Sequence, residues 1–297
     1  MTILAGFSAS RQSSAPVELA AQIARSAGES VVAAAVIERR LPAKADPIED
    51  EYVDYVAAQA ELALRRSVDG VSPGGGISAE VVQARSIPEG LTNACAAHNA
   101  SMVTVGSSSS GLLGRVALGG VTERLVHTAQ IPVAIAPRGY RAGRRSVRRL
   151  TAAYGGNADT NGLIDSAAEL ASAWNVPLRV VSFSVRDAVN PAGLTDPAQA
   201  ETLVLRRWWT RTRQAIDQQL DEVRAACTGL DVTVSVGTGG DWPAAVDDID
   251  WEPGDLLLLG SGAAAQRRHV FLGSAASRII RASPVPVVIM PKQATAG

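Results

Sequence analysis

The stretch MVTVG at residues 102–106 returns as LLLLG at 256–260, and the stretch IPVAIAP at 131–137 returns as VPVVIMP at 285–291. Both pairs are separated by 154 residues, counted from 102 to 256 and from 131 to 285. Each stretch is an apolar run that closes on glycine or proline, which is typical of a buried strand followed by a turn. Because two such strands recur at one offset, we interpret the chain as a tandem duplication.

The duplication predicts two domains. The same offset of 154 residues carries Gly119 to Gly273, and the chain has 297 residues, which is enough for two domains at roughly 150 residues each. We place the first domain at residues 1–142 and the second at 146–297. We expect an approximate twofold axis between them.

The segment RGYRAGRRSVRR at residues 138–149 joins the two halves. It holds six arginines and two glycines in twelve positions, a composition typical of a solvated linker. A nucleic-acid-binding arm is the alternative, but a solvated linker is far more usual for one short basic run. We therefore expect a linker without a function of its own.

The composition excludes several classes of protein. Hydrophobic residues make up 46% of the chain, charged residues 19%, and the net charge is -1, which favours a soluble globular protein with neither a nucleic-acid nor a membrane partner. The two cysteines, Cys95 and Cys227, are too few for a disulfide framework. No apolar stretch approaches the roughly 18 residues of a spanning helix. We expect a cytoplasmic protein.

The order of apolar runs predicts an α/β fold. Runs rich in Val, Ile and Leu alternate with alanine-rich stretches of helical period, a pattern typical of crossover units and a parallel sheet. The predicted strands of the first half lie near residues 2–7, 31–37, 78–84, 102–106 and 132–136. Those of the second half lie near residues 150–154, 177–184, 231–237, 255–259 and 286–290. Two of the predicted helices cover residues 51–67 and 198–226.

The loop after the fourth strand of each half carries the predicted chemistry. In the first half it runs from Gly106 through three serines and nine further residues to Gly119, and in the second from Gly260 through Ser-Gly-Ala and nine further residues to Gly273. A glycine at a strand exit lets backbone approach a ligand, and the first amides of the following helix are unpaired donors. Such a loop suits phosphate, although a plain turn with a helix cap is the alternative.

These loops resemble those of the universal stress protein family, whose nucleotide-binding members carry G-x-x-G, nine residues, and then glycine followed by Ser or Thr. The closing strands resemble the family as well, through Pro132-Val133 and Pro286-Val287. The resemblance spans essentially the whole chain as a tandem pair. It implies two tandem flavodoxin-like (Rossmann-like) domains, each with a five-stranded parallel sheet of order 3-2-1-4-5 flanked by helices. It also implies that the short closing strands of the two halves pair edge to edge, so that neither edge is left unprotected.

The resemblance also implies a ligand, an adenine nucleotide such as ATP, alone or with Mg²⁺, at the point where the strand order reverses. In the first half the residues implied to contact it are Val36, Gly106, Ser107, Ser109, Gly119, Gly120, Val121 and Thr122. In the second half they are Phe183, Gly260, Ser261, Ala263, Gly273, Ser274, Ala275 and Ala276.

The chain departs from the family pattern in both halves. The second loop glycine of the family is Ser109 in one half and Ala263 in the other, and the acid that binding members carry after the first strand is absent from both. The hydroxyl residue that follows the last glycine is kept at Ser274 but is replaced by Gly120. Because Phe183 also narrows the adenine pocket of the second half, we expect unequal binding, tighter in the first half.

The resemblance predicts a regulatory stress-response protein that acts by binding nucleotide rather than by turnover. No set of residues resembles an acid, base and nucleophile, and His98, His127 and His269 have no metal-ligand spacing, so we expect neither an enzyme nor a metal site. The alternative is a ligand-free structural or interaction module whose halves pair through their fifth strands. Association of two chains into a homodimer stays open.

Overall fold

The computed structural model describes residues 1–10, 13–39, 47–155, 162–185, 197–260 and 273–291, with only the backbone described for 47–49 and 197–209. Its strands are β1 (Thr2–Phe7), β2 (Ser30–Glu38), β3 (Ile77–Ala84), β4 (Ala100–Gly106), β5 (Val133–Ala136), β6 (Arg149–Ala153), β7 (Leu178–Val185), β8 (Val232–Gly239), β9 (Asp255–Gly260) and β10 (Val287–Met290). Its helices are α1 (Ala15–Ala27), α2 (Pro47–Val71), α3 (Ile87–Ala97), α4 (Gly120–Thr128), α5 (Leu163–Trp174), α6 (Pro197–Ala226), α7 (Trp242–Asp247) and α8 (Ser274–Ala282).

Every predicted strand is found within two residues of its expected bounds. The two predicted helices are α2 and α6, and α2 extends the expected 51–67 by about one turn at each end. The strands can be predicted from apolar runs in the sequence because both faces of a parallel sheet are covered, which makes its strands almost continuously apolar.

The strands form one ten-stranded sheet of order β3-β2-β1-β4-β5-β10-β9-β6-β7-β8. Each half has the expected order 3-2-1-4-5, with parallel pairing throughout. The halves meet at β5 and β10, which pair antiparallel with Val287 opposite Ile135 and Ile289 opposite Val133. The predicted pairing of the closing strands is therefore confirmed, and antiparallel pairing of equivalent strands is the arrangement that a twofold axis produces.

Helices cover both faces of this sheet. Helices α1, α2, α5 and α6 pack on one face, where Leu19, Leu64 and Ile216 are fully buried. Helices α3, α4, α7 and α8 pack on the other, where Leu125 and Ile280 are buried. Each core runs through both halves of the chain, so burial as well as strand pairing joins them.

The linker at 138–149 is mostly exposed, as its composition predicts, but it is anchored to the first half at two buried residues. Ala142 and Val147 are only 2% and 4% exposed. The buried Glu18 carboxylate accepts the amide protons of Ala142 and Gly143 at 3.2 and 3.1 Å. Backbone amides of the linker bind the first half, and composition does not reveal such contacts. The domain bounds 1–142 and 146–297 remain a proposal.

The docking surface for the linker is one stripe of α1. The Gln22 amide accepts from the Tyr140 hydroxyl and donates to the Ser146 carbonyl. One turn further, Arg25 donates to the Arg145 carbonyl at 2.7 Å. Together with Glu18, these residues recur at helical spacing on one face. The stripe fixes the linker along the first half.

The second half contains a buried ionic cluster at the amino ends of its strands. The Asp255 carboxylate, with 0% exposure, lies 2.5 Å from Arg149 Nη2 and 3.3 Å from Arg179 Nη2. Arg179 also donates to the Thr151 hydroxyl at 3.2 Å and stacks over Trp251 at 4.8 Å. Burial lowers the pKa of the Arg179 guanidinium. The cluster lies at the sheet edge opposite the glycine loops.

Candidate functional site

The candidate site of the first half lies at the carboxyl ends of β2, β1 and β4. Strand β1 separates the other two, and Val36 follows the residue paired with Phe7 at the end of β1. With strand spacings of about 4.8 Å, the ends of β2 and β4 are roughly 10 Å apart. The strand order reverses between β1 and β4, and open α/β sheets bind ligands in this crevice.

Gly106 ends β4 against the start of α1. A Cβ added at Gly106 would lie 3.4 Å from Pro16 Cγ. The buried Thr104 hydroxyl donates to the Pro16 carbonyl at 2.9 Å. The floor of the crevice is therefore closely packed and fixed to the first turn of α1.

The loop between β4 and α4 is closed by its own hydrogen bonds. The Ser107 hydroxyl accepts the Ala117 amide proton at 2.6 Å, and the Ser108 amide donates to the Ala117 carbonyl at 2.7 Å. The Ser107 amide donates to Ala136 at 3.0 Å and so extends the pairing of β4 with β5. Ser109 is exposed. The Ser107 hydroxyl thus supports the loop, and its contact with a ligand stays a prediction.

The start of α4 presents free backbone amides. Gly119 takes the N-cap position in extended conformation, with φ -104°, and makes no side-chain cap. The buried Thr122 hydroxyl donates to the Gly106 carbonyl at 3.3 Å, which ties this helix end to the strand end. Gly120 is exposed, and a Cβ there would meet nothing within 4 Å. The first amides of a helix lack partners inside it and favour an anion, so the amides of Gly120 and Val121 suit phosphate.

Val36 forms the apolar side of the site. It is half-buried and belongs to the same apolar cluster as Val121. A Cβ added at Gly90 of α3 would lie 2.5 Å from Val36 Cγ1, so glycine is needed there for α3 to lie this close to β2. The Val36 side chain is therefore partly exposed and held in a fixed position.

The second half keeps part of this arrangement. Gly260 ends β9 against Leu163 at the start of α5, and Gly273 takes the N-cap position of α8 in extended conformation. Ser274 and Ala275 are exposed and Ala276 is half-buried. Ser261 and Ala263 lie outside the described residues.

Phe183 occupies in the second half the position that Val36 has in the first. It is half-buried and pairs in the sheet with Gly237, where the first half pairs Val36 with Val82. A Cβ added at Gly237 would lie 2.1 Å from the Ala245 carbonyl oxygen, so α7 requires glycine at that position. Phe183 thus occupies space beside a position that cannot carry a side chain.

Sequence reasoning missed Arg115 in the loop of the first half. Its guanidinium binds Asp247 at 2.9 Å and also donates to the Ala282 carbonyl, both in the second half. The available signal was a single arginine among the Gly, Ser, Ala and Leu residues of the loop. That signal does not identify the partner, which lies 132 residues away.

Other chemistries receive no support from the described residues. Among them, no cluster of three or more His, Cys, Asp or Glu side chains is arranged to hold a metal ion. Burial raises the pKa of the Cys95 thiol to about 12, so this thiol is protonated at neutral pH and is a poor nucleophile. No helix in the described ranges is both long and apolar enough to cross a membrane.

Comparison with known proteins gives consistent matches along the whole chain. The model of the Universal stress protein family matches residues 1–137 and 146–291. A curated universal stress protein of Mycobacterium tuberculosis (strain H37Rv) is 32% identical over 303 residues, covering 98% of this chain and all of the relative.

Two solved structures share the fold. One is a universal stress protein from Archaeoglobus fulgidus, with a TM-score of 0.59 and 19% identity over 98% of this chain and 96% of that one. The other is a putative universal stress protein from Pseudomonas aeruginosa, with a TM-score of 0.58 and 16% identity over 98% of this chain and 92% of that one.

Proposed function

The chain belongs to the universal stress protein family, and from that premise and the loop geometry we propose that it is a stress-response regulator whose first half binds an adenine nucleotide, ATP above all. The observation that carries the proposal is the start of α4. There, Gly119 and Gly120 leave backbone amides open beside the end of β4, in the crevice where the strand order reverses.

The groups around the crevice fit the parts of ATP. Backbone amides at a helix start suit the phosphates. Val36, about two strand spacings from Gly106, offers an apolar surface for adenine. The closed loop is already shaped by the bonds between Ser107, Ser108 and Ala117, which reduces the ordering cost of binding. Any Mg²⁺ would arrive with the phosphates.

The proposal is for binding without turnover. Within the described part of the loop, the hydroxyls of Ser107 and Thr122 are committed to backbone partners. General base catalysis needs a titratable group within hydrogen-bond reach of the attacking water, and the loop sequence from Gly106 to Val121 contains no carboxylate or imidazole.

The experiment is to identify co-purified nucleotide and then remove its site. The purified protein is denatured and its supernatant analysed by ultraviolet absorbance and chromatography, and ATP affinity is measured by calorimetry. Gly119→Val is the decisive variant. The φ of Gly119 suits any residue, and its Cβ would meet Ser108 Cβ at an ordinary 3.5 Å, so the fold tolerates the change while the side chain obstructs phosphate.

Gly119→Val should reduce ATP affinity at the first site at least 100-fold, because loss of several amide–phosphate bonds costs about 3 kcal/mol. Gly240→Val is the matched control, since a Cβ there meets nothing within 4 Å, so the fold tolerates it as well, and the residue lies outside both loops. It should bind as the wild type does. If the wild type carries no nucleotide and binds no ATP, the proposal is rejected in favour of the ligand-free interaction module.

A further inference from the structure

Arg115 joins the nucleotide loop of the first half to the second half. Its Nη1 and Nη2 atoms lie 2.9 Å from the two carboxylate oxygens of Asp247. This is a bidentate pair, the arrangement in which a guanidinium gives the most directional contact with a carboxylate. Nη1 also donates to the Ala282 carbonyl.

The partners of Arg115 are helix ends. Asp247 is the last residue of α7 and Ala282 the last residue of α8. Carbonyl groups at a helix end lack intrahelical donors and carry negative dipole character, which favours a cation. The guanidinium therefore fixes the loop to two elements of the second half at once.

The main chain of Arg115 supports the binding part of the loop. Its carbonyl accepts the Arg138 amide at 3.1 Å and the Ser107 hydroxyl at 3.4 Å, and its amide donates to Leu112 at 3.2 Å. Ser107 in turn holds Ala117, which precedes the glycines at the start of α4 by two residues. A movement of Arg115 would therefore be transmitted through two hydrogen bonds towards the backbone amides at the start of α4 that are proposed to bind phosphate.

We propose that Arg115 is a positioning residue, through which the second half holds the nucleotide loop of the first half in its binding form. This inference rests on the proposed function, because it concerns the same site. It makes Asp247, a residue of the other half, a determinant of nucleotide affinity in the first half. By linkage, nucleotide bound in the first half also favours the position of α7 and α8 seen here.

This role differs from a contribution to overall stability. The side chains of Arg115 and Asp247 are 28% and 47% exposed, and pairs this exposed add little to the free energy of unfolding. The same pair can still select one loop conformation, because the other bonds of the loop, such as those of Gly111 and Gly114 with Arg138, do not tie it to α7 or α8. The thermal midpoint should therefore change little while loop order and affinity change.

The test uses the full-length chain with Asp247→Asn, which leaves every residue of the loop intact. Hydrogen exchange is measured without nucleotide at the amides of Ser108, Gly111 and Ala117, and ATP affinity by calorimetry. We expect exchange at these amides to accelerate at least fivefold and the dissociation constant to rise five- to thirtyfold. Arg115→Gln should give the same result, and the exchanged pair Arg115→Asp with Asp247→Arg should recover part of both losses.

Arg65→Gln is the matched control, because it breaks an exposed arginine–carboxylate pair with Glu61 at 2.6 Å on α2, away from the loop. It should alter neither readout. Unchanged exchange in Asp247→Asn would overturn the inference. Faster exchange with unchanged ATP affinity would also overturn it, while leaving the proposed function intact. Absence of ATP binding in the wild type would reject the proposed function itself, and the positioning role with it.

Discussion

The two halves of the chain share one strand order and differ at the ends of their strands. At the carboxyl ends, Val36 pairs with Val82 in the first half, whereas Phe183 pairs with Gly237 in the second. Strand interiors are constrained by helices on both faces, whereas strand ends face loops and solvent. The two halves have therefore kept the same sheet, while the residues at the ends of its strands have diverged.

The amino ends differ more strongly. Asp255 in the second half forms the buried cluster with Arg149 and Arg179. The position 154 residues earlier is Ser101, whose hydroxyl donates to Glu29 and to a backbone carbonyl. One half thus uses a buried carboxylate where the other uses a partly exposed hydroxyl. The difference indicates that the halves are stabilised by different interactions at equivalent positions.

The largest expected effect comes from removing the buried carboxylate. Asp255→Ala should lower the free energy of unfolding by about 3 to 5 kcal/mol, because it removes the nearest anion from the buried Arg179 guanidinium and from the half-buried Arg149 beside it. Chemical denaturation followed by tryptophan fluorescence measures the loss, since Trp251 stacks on Arg179. Ser101→Ala, the equivalent change in the first half, should cost about 1 kcal/mol. Equal losses in the two variants would contradict the expectation that these two equivalent positions contribute differently to the free energy of unfolding.

The next effect concerns the nucleotide affinities of the two halves. Gly273→Val leaves only the first site open, and Gly119→Val leaves only the second. The variant with the first site open should bind ATP about tenfold more tightly, because Phe183 takes up space that Val36 leaves free and one such difference is worth about 1.4 kcal/mol.

Calorimetry of the two full-length variants under one set of conditions makes this comparison. A Cβ at Gly273 meets nothing within 4 Å, so both variants should fold and unfold like the wild type in a thermal scan. Indistinguishable dissociation constants would remove the asymmetry, and tighter binding in Gly119→Val would reverse it.

The smallest effect tests the linker, which docks on the first half through α1. Burial raises the pKa of Tyr140 to about 12, above its ordinary value of about 10. The folded state therefore holds this proton more tightly, and the stabilisation is complete below pH 10 and lost as the pH rises towards 12. As the pH rises, the wild type should lose about 1 kcal/mol of unfolding free energy that Tyr140→Phe does not lose.

The measurement compares denaturation midpoints of wild type and Tyr140→Phe at pH 8 and pH 11. The difference between the two proteins should shrink at the higher pH, because at pH 11 the Tyr140 phenol is ionised in the unfolded chain but still protonated, and bonded to Gln22, in the folded one. A constant difference would show that folding does not raise the pKa of Tyr140.

The sequence predicts those features that depend on local pattern. The ten strands follow from apolar runs such as VTVG before Ser107, and the loops follow from glycines at strand exits and helix starts. These features need only neighbouring residues. The pairing of β5 with β10 was predicted from the constant offset together with the family resemblance, and it covers two short edges.

Contacts between distant backbone and side-chain groups could not be predicted. Arg115 with Asp247 and Glu18 with the amides of Ala142 and Gly143 join residues more than 100 positions apart. Neither contact leaves a periodic trace in the sequence, and backbone amides are present at every position. The anchoring of the arginine-rich linker was missed for this reason, since its buried Ala142 carries no charge.

Because β5 and β10 belong to one chain, their antiparallel pairing does not depend on protein concentration. Two separate chains that meet through such strands dissociate when they are diluted, whereas here a peptide linker keeps the partner strand at an effective concentration in the millimolar range or above. Pairing of the halves is therefore independent of how much protein the cell makes. It also guarantees one copy of each half, so a substitution such as phenylalanine at position 183, where the first half has Val36, can be confined to one.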